Sequence, residues 1–519
     1  MRWRWLSLAV ALLAAPAAAQ PDGAALYGQH CAACHGTERL GGRGPALLPE
    51  NMGRLRPAQA AAVIAEGRPA TQMPGFAGQL SPPEIEALTA HIFQPAPADL
   101  RWDAAEIEAT RQVLLPADRL PAQPVHGADP LNLFLVVETG DHHVTVLDGD
   151  RFAPLHRFPT RPALHGGPKF SADGRFTYLM SRDGWVTKYD LHGLQPVAEV
   201  RAGINSRNIA LSSDGRFVAV ANYLPRSLVL LDAGDLSVKR VIPAIALRGG
   251  ATSRVSAVYD ARPRRSFIVA MKDIPEVWEV AYNDNAPPVF TGLVHNYEKG
   301  LLEGLAASQG LFALRRIAVE EPVDDFMFDP AYRHLLGSTR EGKTVVVNLN
   351  VGRPVATVPL DGLPHLGSGI TWRQGDRRLL ATPNMRRPEV SVIDMADWRV
   401  LARIPMDGPG FFLRSHERTP HAWTDSMMGG PGARDTIQII DKRSLEVVHR
   451  LRPAPGRTTA HVEFTRDGRH ALVSVWEQDG AVVVYDAESF REVARLPMRR
   501  PSGKYNVFNK ITLSEGTSH

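Results

Sequence analysis

The segment Cys31-Ala32-Ala33-Cys34-His35 holds both cysteines of the chain and a histidine directly beside the second. Two thiols at this spacing followed by an imidazole form the C-x-x-C-H pattern of covalent haem attachment. The thiols would add to the two vinyl groups of the macrocycle, and His35 would fall beneath it as an axial iron ligand. A redox-active thiol pair is the competing reading of the spacing alone. Met73, in GRPATQMPGF, comes thirty-nine residues after Cys34. It sits in a loop from which a thioether could reach the other face of the iron; a packed core methionine is the alternative. His35 and Met73 together would raise the reduction potential and suit the domain to accepting electrons.

Two helices must hold these groups. One is expected from Ala24 to His30, leading into the thiols. The other is expected over Pro82 to Phe93, where Ser81 and Glu84 form a capping box ahead of an apolar run. The expected unit is a small all-α cytochrome c domain over residues 21–94, carrying covalent haem c. Residues 95–131, rich in proline and alanine, read as a linker with one short helix at Ala104 to Leu114. At the front, Arg2 and Arg4, the apolar run Leu6 to Leu13 and Ala17-Ala18-Ala19 read as a signal peptide over residues 1–20. That run is too short to span a bilayer, and no later stretch is long enough; an N-terminal anchor helix is the alternative. The mature protein is therefore expected in the periplasm, with no membrane span.

Composition narrows the classes further. The chain has 519 residues, 44% of them hydrophobic and 22% charged, which is ample for a large core. A net charge of +4 is small for that length and argues against a nucleic-acid binder. Two cysteines three positions apart rule out a disulfide framework.

From Leu133 to Asp486 a short apolar run repeatedly stops at a polar position: VTVLD at Asp148, VTKYD at Asp190, LVLLD at Asp232, VVVNL at Asn348, VSVID at Asp394, IQIID at Asp441 and VVVYD at Asp486, with VWEV at Val280 as an irregular member. Most endings lie ~40–50 residues apart, the period of a four-stranded propeller blade. Several are preceded by Asp-Gly between alternating apolar residues, as in FSADGRFTYL, LSSDGRFVAV and FTRDGRHALVSV. There glycine supplies the positive φ of a tight hairpin. Eight such units fit an all-β eight-bladed propeller over residues 132–519, the unit from Val280 to Asn348 being the least regular.

Strand starts in such a ring face a central funnel. His165 stands at one, followed by Gly166-Gly167, which would let a flat ligand approach the backbone. His461, in TTAHVEFTRDG, stands at another; a hydrogen-bonded histidine at the funnel rim is the plain alternative. Arg414, His416 and His421, in FFLRSHERTPH, are further candidates for the funnel. His142 and His143 lie at a hairpin tip and read as solvated.

His165, the DGRF turn and SRDGWVTKYDL resemble the first blade of the haem d1 propeller in the cytochrome cd1 nitrite reductase family. GINSRNIALSSDGRF, SRVSAVYDARPRRSFIVAMKDIPEVWEVAYND and PSGKYNVFNK continue the likeness in order and spacing. The resemblance implies that His165 is the proximal ligand of a d1-type iron. It implies that Arg182, Arg207, Arg254 and Lys272 line the pocket, where guanidinium groups suit the carboxylates of the macrocycle. Of the family's two distal histidines one matches His365; the other position holds Asp324. The reductase's N-terminal arm with its capping tyrosine has no counterpart, and Tyr27 is a poor substitute.

These departures resemble the dihydro-haem d1 dehydrogenases of the same family, which oxidise a propionate of the precursor to an acrylate. The tetrapyrrole, haem d1 or dihydro-haem d1 held non-covalently, would then be substrate and product. His461 is the candidate base, His365 the distal group, and electrons would pass to haem c and on to a periplasmic acceptor. The reductase itself, or other d1-pathway proteins, would be recipients of the product. A nitrite reductase and a non-catalytic d1 carrier remain as alternatives.

Overall fold

A computed structural model describes residues 20–53, 55–67, 73–97, 100–290, 306–339 and 341–518. The expected signal peptide, apart from Gln20, lies outside the described residues. The chain divides into two compact units, Met1–Pro97 and Ala98–His519.

The first unit is helical. Asp22 caps the helix Gly23–His30, its carboxylate accepting the N–H groups of Ala24 and Ala25 at 2.9 and 3.2 Å. The helix Pro82–Ile92 opens on the expected capping box, with Glu84 accepting the N–H of Ser81 at 2.7 Å. The two helices approach closely because Gly23 lacks a side chain: a Cβ there would lie 2.4 Å from the Ala87 carbonyl oxygen. The second helix would otherwise end on bare carbonyls. Buried Arg39 supplies donors, reaching the carbonyls of His91, Gln94 and Pro95 at 3.0, 2.8 and 2.8 Å.

Among the described residues of the second unit, eight antiparallel sheets follow one another around a ring, seven of four strands and one with a fifth at its edge, and Val289–Phe290 pairs with Ala306–Ser308 as a small separate sheet. The polar residues that end the apolar runs stand at the ends of third strands, among them His143–Asp148, Trp185–Asp190 and Ile437–Asp441. Their side chains fold the next turn. Asp148 accepts the N–H groups of Asp150 and Arg151, Asp190 those of His192 and Gly193, and Asp441 those of Arg443 and Ser444. Four residues after such an ending the backbone turns left-handed, at Phe152, Leu194, Leu236, Trp398, Leu445 and Phe490, with φ between 53° and 62°. A non-glycine residue there costs roughly 1–2 kcal/mol. Burial offsets it where the side chain packs inward, as Leu236 does at 0% exposure.

The ring closes on its own end. Pro501–Asn506 supplies the innermost strand of the first blade, pairing Tyr505 with Leu135 and Lys504 with Val136. Inner strands also join blade to blade. The Asn208 side chain accepts the N–H of Val258 at 2.7 Å, and the Tyr259 hydroxyl donates to Asp325 at 3.0 Å. Asp325 in turn accepts the N–H of Gly367 at 2.8 Å.

One expectation needs correction. The helix expected to reach Leu114 stops at Ala109, and Gln112–Val113 then runs as a strand against the outer edge of the second blade. Ile107 is wholly buried, and the Trp102 indole donates to the Arg201 carbonyl at 3.1 Å. The stretch from Arg101 to Val113 is thus part of the propeller wall, because its apolar residues cover an edge that would otherwise be exposed.

Candidate functional site

In the helical unit Cys31 and Cys34 stand at the junction of Gly23–His30 and the single turn Ala32–His35, and no disulfide joins them. Burial pushes the Cys31 thiol up to about 11, so it is a poor redox nucleophile. His35 is buried, and its Nδ1 lies 2.7 Å from the Pro45 carbonyl. A carbonyl only accepts, so Nδ1 carries the proton and Nε2 keeps the lone pair that a metal needs. Burial also holds His35 below its ordinary pKa, favouring this neutral form. Gly44 lies against the imidazole; a Cβ there would come within 2.7 Å of Cε1. These donors fit a covalently bound haem c. Met73 packs at the edge of the apolar core of this unit.

In the propeller His165 and His365 occupy equivalent places four blades apart. Each follows a single bridge to the end of its blade's second strand, Leu164 to Ser181 and Pro364 to Asn384. Each donates its backbone N–H back to that strand, to Met180 and Pro383, both at 2.9 Å. Each then gives its Nδ1 proton to a carbonyl of the next blade: His165 to Arg207 at 2.8 Å, His365 to Phe411 at 2.7 Å. Both rings are therefore held with the lone pair on Nε2. The Arg207 guanidinium lies against the His165 ring, meeting Nε2 and, at 3.2 Å, Nδ1. Burial lowers the pKa of His365, against the opposing pull of Asp325.

The basic residues divide by partner. Arg207 stands on the inner strand Asn205–Leu211, beside His165. Arg182 joins the second and third blades through its backbone, with its N–H on Ala163 and its carbonyl accepting from Ser206. Arg254 grips Asp273 through Nε and Nη2, at 2.9 and 2.5 Å. Lys272 pairs with Asp324. The carboxylate facing His365 is instead Asp325, 4.0 Å from its Nε2. Asp324, expected at the position of the family's other distal histidine, is turned to the opposite side by strand alternation and meets Lys272.

His461 is the most constrained side chain of the group. It sits in a bulge of the inner strand Thr459–Phe464, at the register shift between Ala460 and Val462, with φ +50°. Its N–H is held by Asp425 at 3.2 Å and its carbonyl by the Lys504 ammonium at 2.5 Å. A bulge re-aims a side chain, here at an evident backbone cost. The ring is fully buried between Phe412 and Tyr505, with centroids at 4.6 and 5.1 Å, and neither ring nitrogen has a hydrogen-bond partner among the described residues. Burial, and then Lys504, Arg414 and Lys510, hold its pKa far below the usual value. An unpaired buried imidazole costs about 1–3 kcal/mol per orphaned atom, which suits a group meant to face a ligand.

Tyr505 was missed as a site residue, although its segment carried the resemblance. Its ring lies against Gly167, where a Cβ would come within 2.8 Å of Cε1, and it also meets the His461 ring. It thus links the glycines after His165 to the orphaned imidazole. The signal that could have found it is its place in the closing strand. Of the three further candidates, Arg414 belongs to this group, buried with its Nε unpaired. His416 and His421 do not. His416 packs at the hairpin of Gly468 and His421 against Phe490, both at the opposite end of the strands.

A haem-attachment site in a helical unit and a ring of histidines and arginines in an eight-bladed propeller define a c-type cytochrome joined to a tetrapyrrole-binding propeller. Known proteins agree. The family described as Cytochrome D1 heme domain matches residues 128–510, and that described as Cytochrome C oxidase, cbb3-type, subunit III matches residues 18–92. The chain belongs to the cytochrome d1 haem domain family. It is 55% identical to the Dihydro-heme d1 dehydrogenase of Pseudomonas aeruginosa over the full length of both chains. A solved structure of Dihydro-heme d1 dehydrogenase NirN in complex with DHE aligns with a TM-score of 0.87 at 56% identity, over 95% of this chain and all of that one. A nitrite reductase of Stutzerimonas stutzeri is 23% identical over 98% of this chain and 96% of its own length.

Proposed function

We propose that the protein is a periplasmic dehydrogenase that oxidises one propionate of dihydro-haem d1 to the acrylate of haem d1. The observation that carries this reading is His461. It is an unpartnered, neutral imidazole fixed in a bulge beside Tyr505, in a chain 55% identical to a dihydro-haem d1 dehydrogenase. Removing two hydrogens from CH2–CH2 releases two electrons and two protons. A covalently bound haem c, held by Cys31, Cys34, His35 and Met73, supplies one-electron acceptance. His165 and His365 would offer Nε2 to the tetrapyrrole iron, and Arg182 and Arg207 would meet its carboxylates, with Arg254, held by Asp273, adding positive charge nearby. His461 takes the proton from the propionate carbon, and the Tyr505 ring fixes the imidazole edge-on.

No described helix is long and apolar enough to cross a membrane, in keeping with an exported protein. Electrons leave haem c for a one-electron acceptor of the periplasm, and the finished tetrapyrrole passes to a cytochrome cd1 nitrite reductase or another protein of the d1 pathway. The test is to mix oxidised protein with dihydro-haem d1 without oxygen and to weigh the extracted tetrapyrrole. A loss of two hydrogens with reduction of haem c is expected. Binding with unchanged mass would leave a carrier or, with nitrite turnover, a reductase.

A further inference from the structure

Near His461 the cations Lys504, Arg414 and Lys510 stand around the buried carboxylate Glu463. Glu463, two residues on along the same strand, is buried, and its Oε2 has no hydrogen-bond partner, although Asn509 donates to Oε1 at 3.0 Å. Lys510, on the helix Val507–Thr512, lies 5.7 Å from the centre of the Tyr505 ring, on the ring that also meets His461. Lys510 and Lys169 both line a cavity of about 70 Å³, together with Tyr259, Arg262 and Leu513. A volume of that size holds a few waters, and its polar wall gives them partners. The column therefore runs from the wall of the tetrapyrrole pocket to a hydrated space, through side chains that can each hold or release a proton.

We propose that Glu463, Lys510 and Lys169 form the exit path for the protons removed from the substrate propionate. The inference rests on the reading that the C–H bonds break at the wall formed by His461 and Tyr505. In that reaction two C–H bonds break and one C=C bond forms; two electrons pass singly to haem c and on to a one-electron acceptor, and two protons remain in a dry pocket. His461 cannot keep one, because Lys504, Arg414 and Lys510 oppose its charge from the neighbouring strands and the closing helix, with buried Asp425 on the other side. The column is built to receive them. Burial lowers Lys510 to about 7 and Lys169 to about 8, so both titrate near neutrality where an ordinary lysine does not.

The test uses the full-length protein with haem c in place and follows haem c reduction in a single turnover with dihydro-haem d1, in H2O and in D2O. Lys510→Met is expected to slow reduction at least tenfold and to enlarge the solvent isotope effect, with tetrapyrrole binding within twofold of the parent. Lys510→His, which titrates, should restore most of the rate; Lys510→Arg, which keeps the charge but releases no proton, should not. Lys169→Met, at the far side of the cavity, should reproduce the larger isotope effect. Unchanged rates and isotope effects in Lys510→Met, or equal rescue by arginine and histidine, would overturn the path. The underlying reading fails separately, if His461→Ala and Tyr505→Phe both react at the parent rate.

Discussion

His165 and His365 stand at opposite points of the eight-bladed ring, each with its Nδ1 proton given to a carbonyl of the following blade, Arg207 and Phe411. The repeat makes this possible, since equivalent places in two blades offer the same bridge and the same neighbouring carbonyl. A flat macrocycle between them would meet a lone pair on each face. Replacing His165 by Ala should abolish axial ligation on one face, seen as loss of the low-spin spectrum of the bound tetrapyrrole. His365→Ala should leave binding but convert the iron to a five-coordinate spectrum.

Burial keeps His365 below its ordinary pKa near 6.5. A depressed histidine pKa means that the neutral, ligating form persists to lower pH than it would in a free imidazole. The six-coordinate spectrum should therefore survive acidification from pH 7 through 6.5 and be lost only below. Asp325→Asn removes the opposing carboxylate and should move that loss to still lower pH. A spectral titration checks both.

His461→Ala should lower the single-turnover rate about 10²-fold, within the usual range for a general base. Tyr505→Phe keeps the ring contact and removes the hydroxyl. If Tyr505→Phe abolished the reaction while His461→Ala left it intact, the proton would belong to the tyrosine and the assignment to His461 would fall.

Asp425 ties four N–H groups, those of Phe411, Phe412, His461 and Met427, at 2.9, 3.2, 3.2 and 3.4 Å. Asn in its place would offer one acceptor and an unwanted donor. Asp425→Asn should cost about 2–4 kcal/mol, from orphaned donors at about 1–3 kcal/mol each, measured on the propeller transition in urea. Burial raises the pKa of Asp425 to about 6. A carboxyl raised in the folded state favours folding below its unfolded value near 3.8 and loses that contribution as pH climbs through about 6. The difference between parent and variant should be read on both sides of that window.

Met73→Ala should lower the reduction potential of haem c, since a thioether ligand raises it. A redox titration of the full chain would show it. An unchanged potential would return Met73 to the core of the helical unit.

The blade pattern was legible because one physical rule repeats: an apolar strand must end where a carboxylate can fold the next turn, and Asp148, Asp190 and Asp441 do so. The haem-attachment motif was legible because its two thiols and its histidine lie together in the chain, from Cys31 to His35, so that no tertiary contact is needed to bring them together. The pocket was only half legible. His165, His365 and His461 lie at strand starts and could be picked out by type, but partners cannot be counted along a chain. That Asp273 holds Arg254 depends on the pairing of two strands within a blade, and that Lys272 holds Asp324 and Asp325 lies near His365 depends on contacts between blades. Tyr505 escaped notice because its segment reads as a plain final strand. The segment at Arg101 to Val113 looked like a tether because its composition hides a single buried residue, Ile107.

The strand Pro501–Asn506 closes the ring by pairing with Leu133–Glu138, and it also brings Lys504 and Tyr505 to the pocket. A chain interrupted before Pro501 would lack the latch and the working wall together. Ring closure and completion of the candidate pocket are thus one event, since the strand that seals the propeller is the strand that delivers the Tyr505 ring to His461.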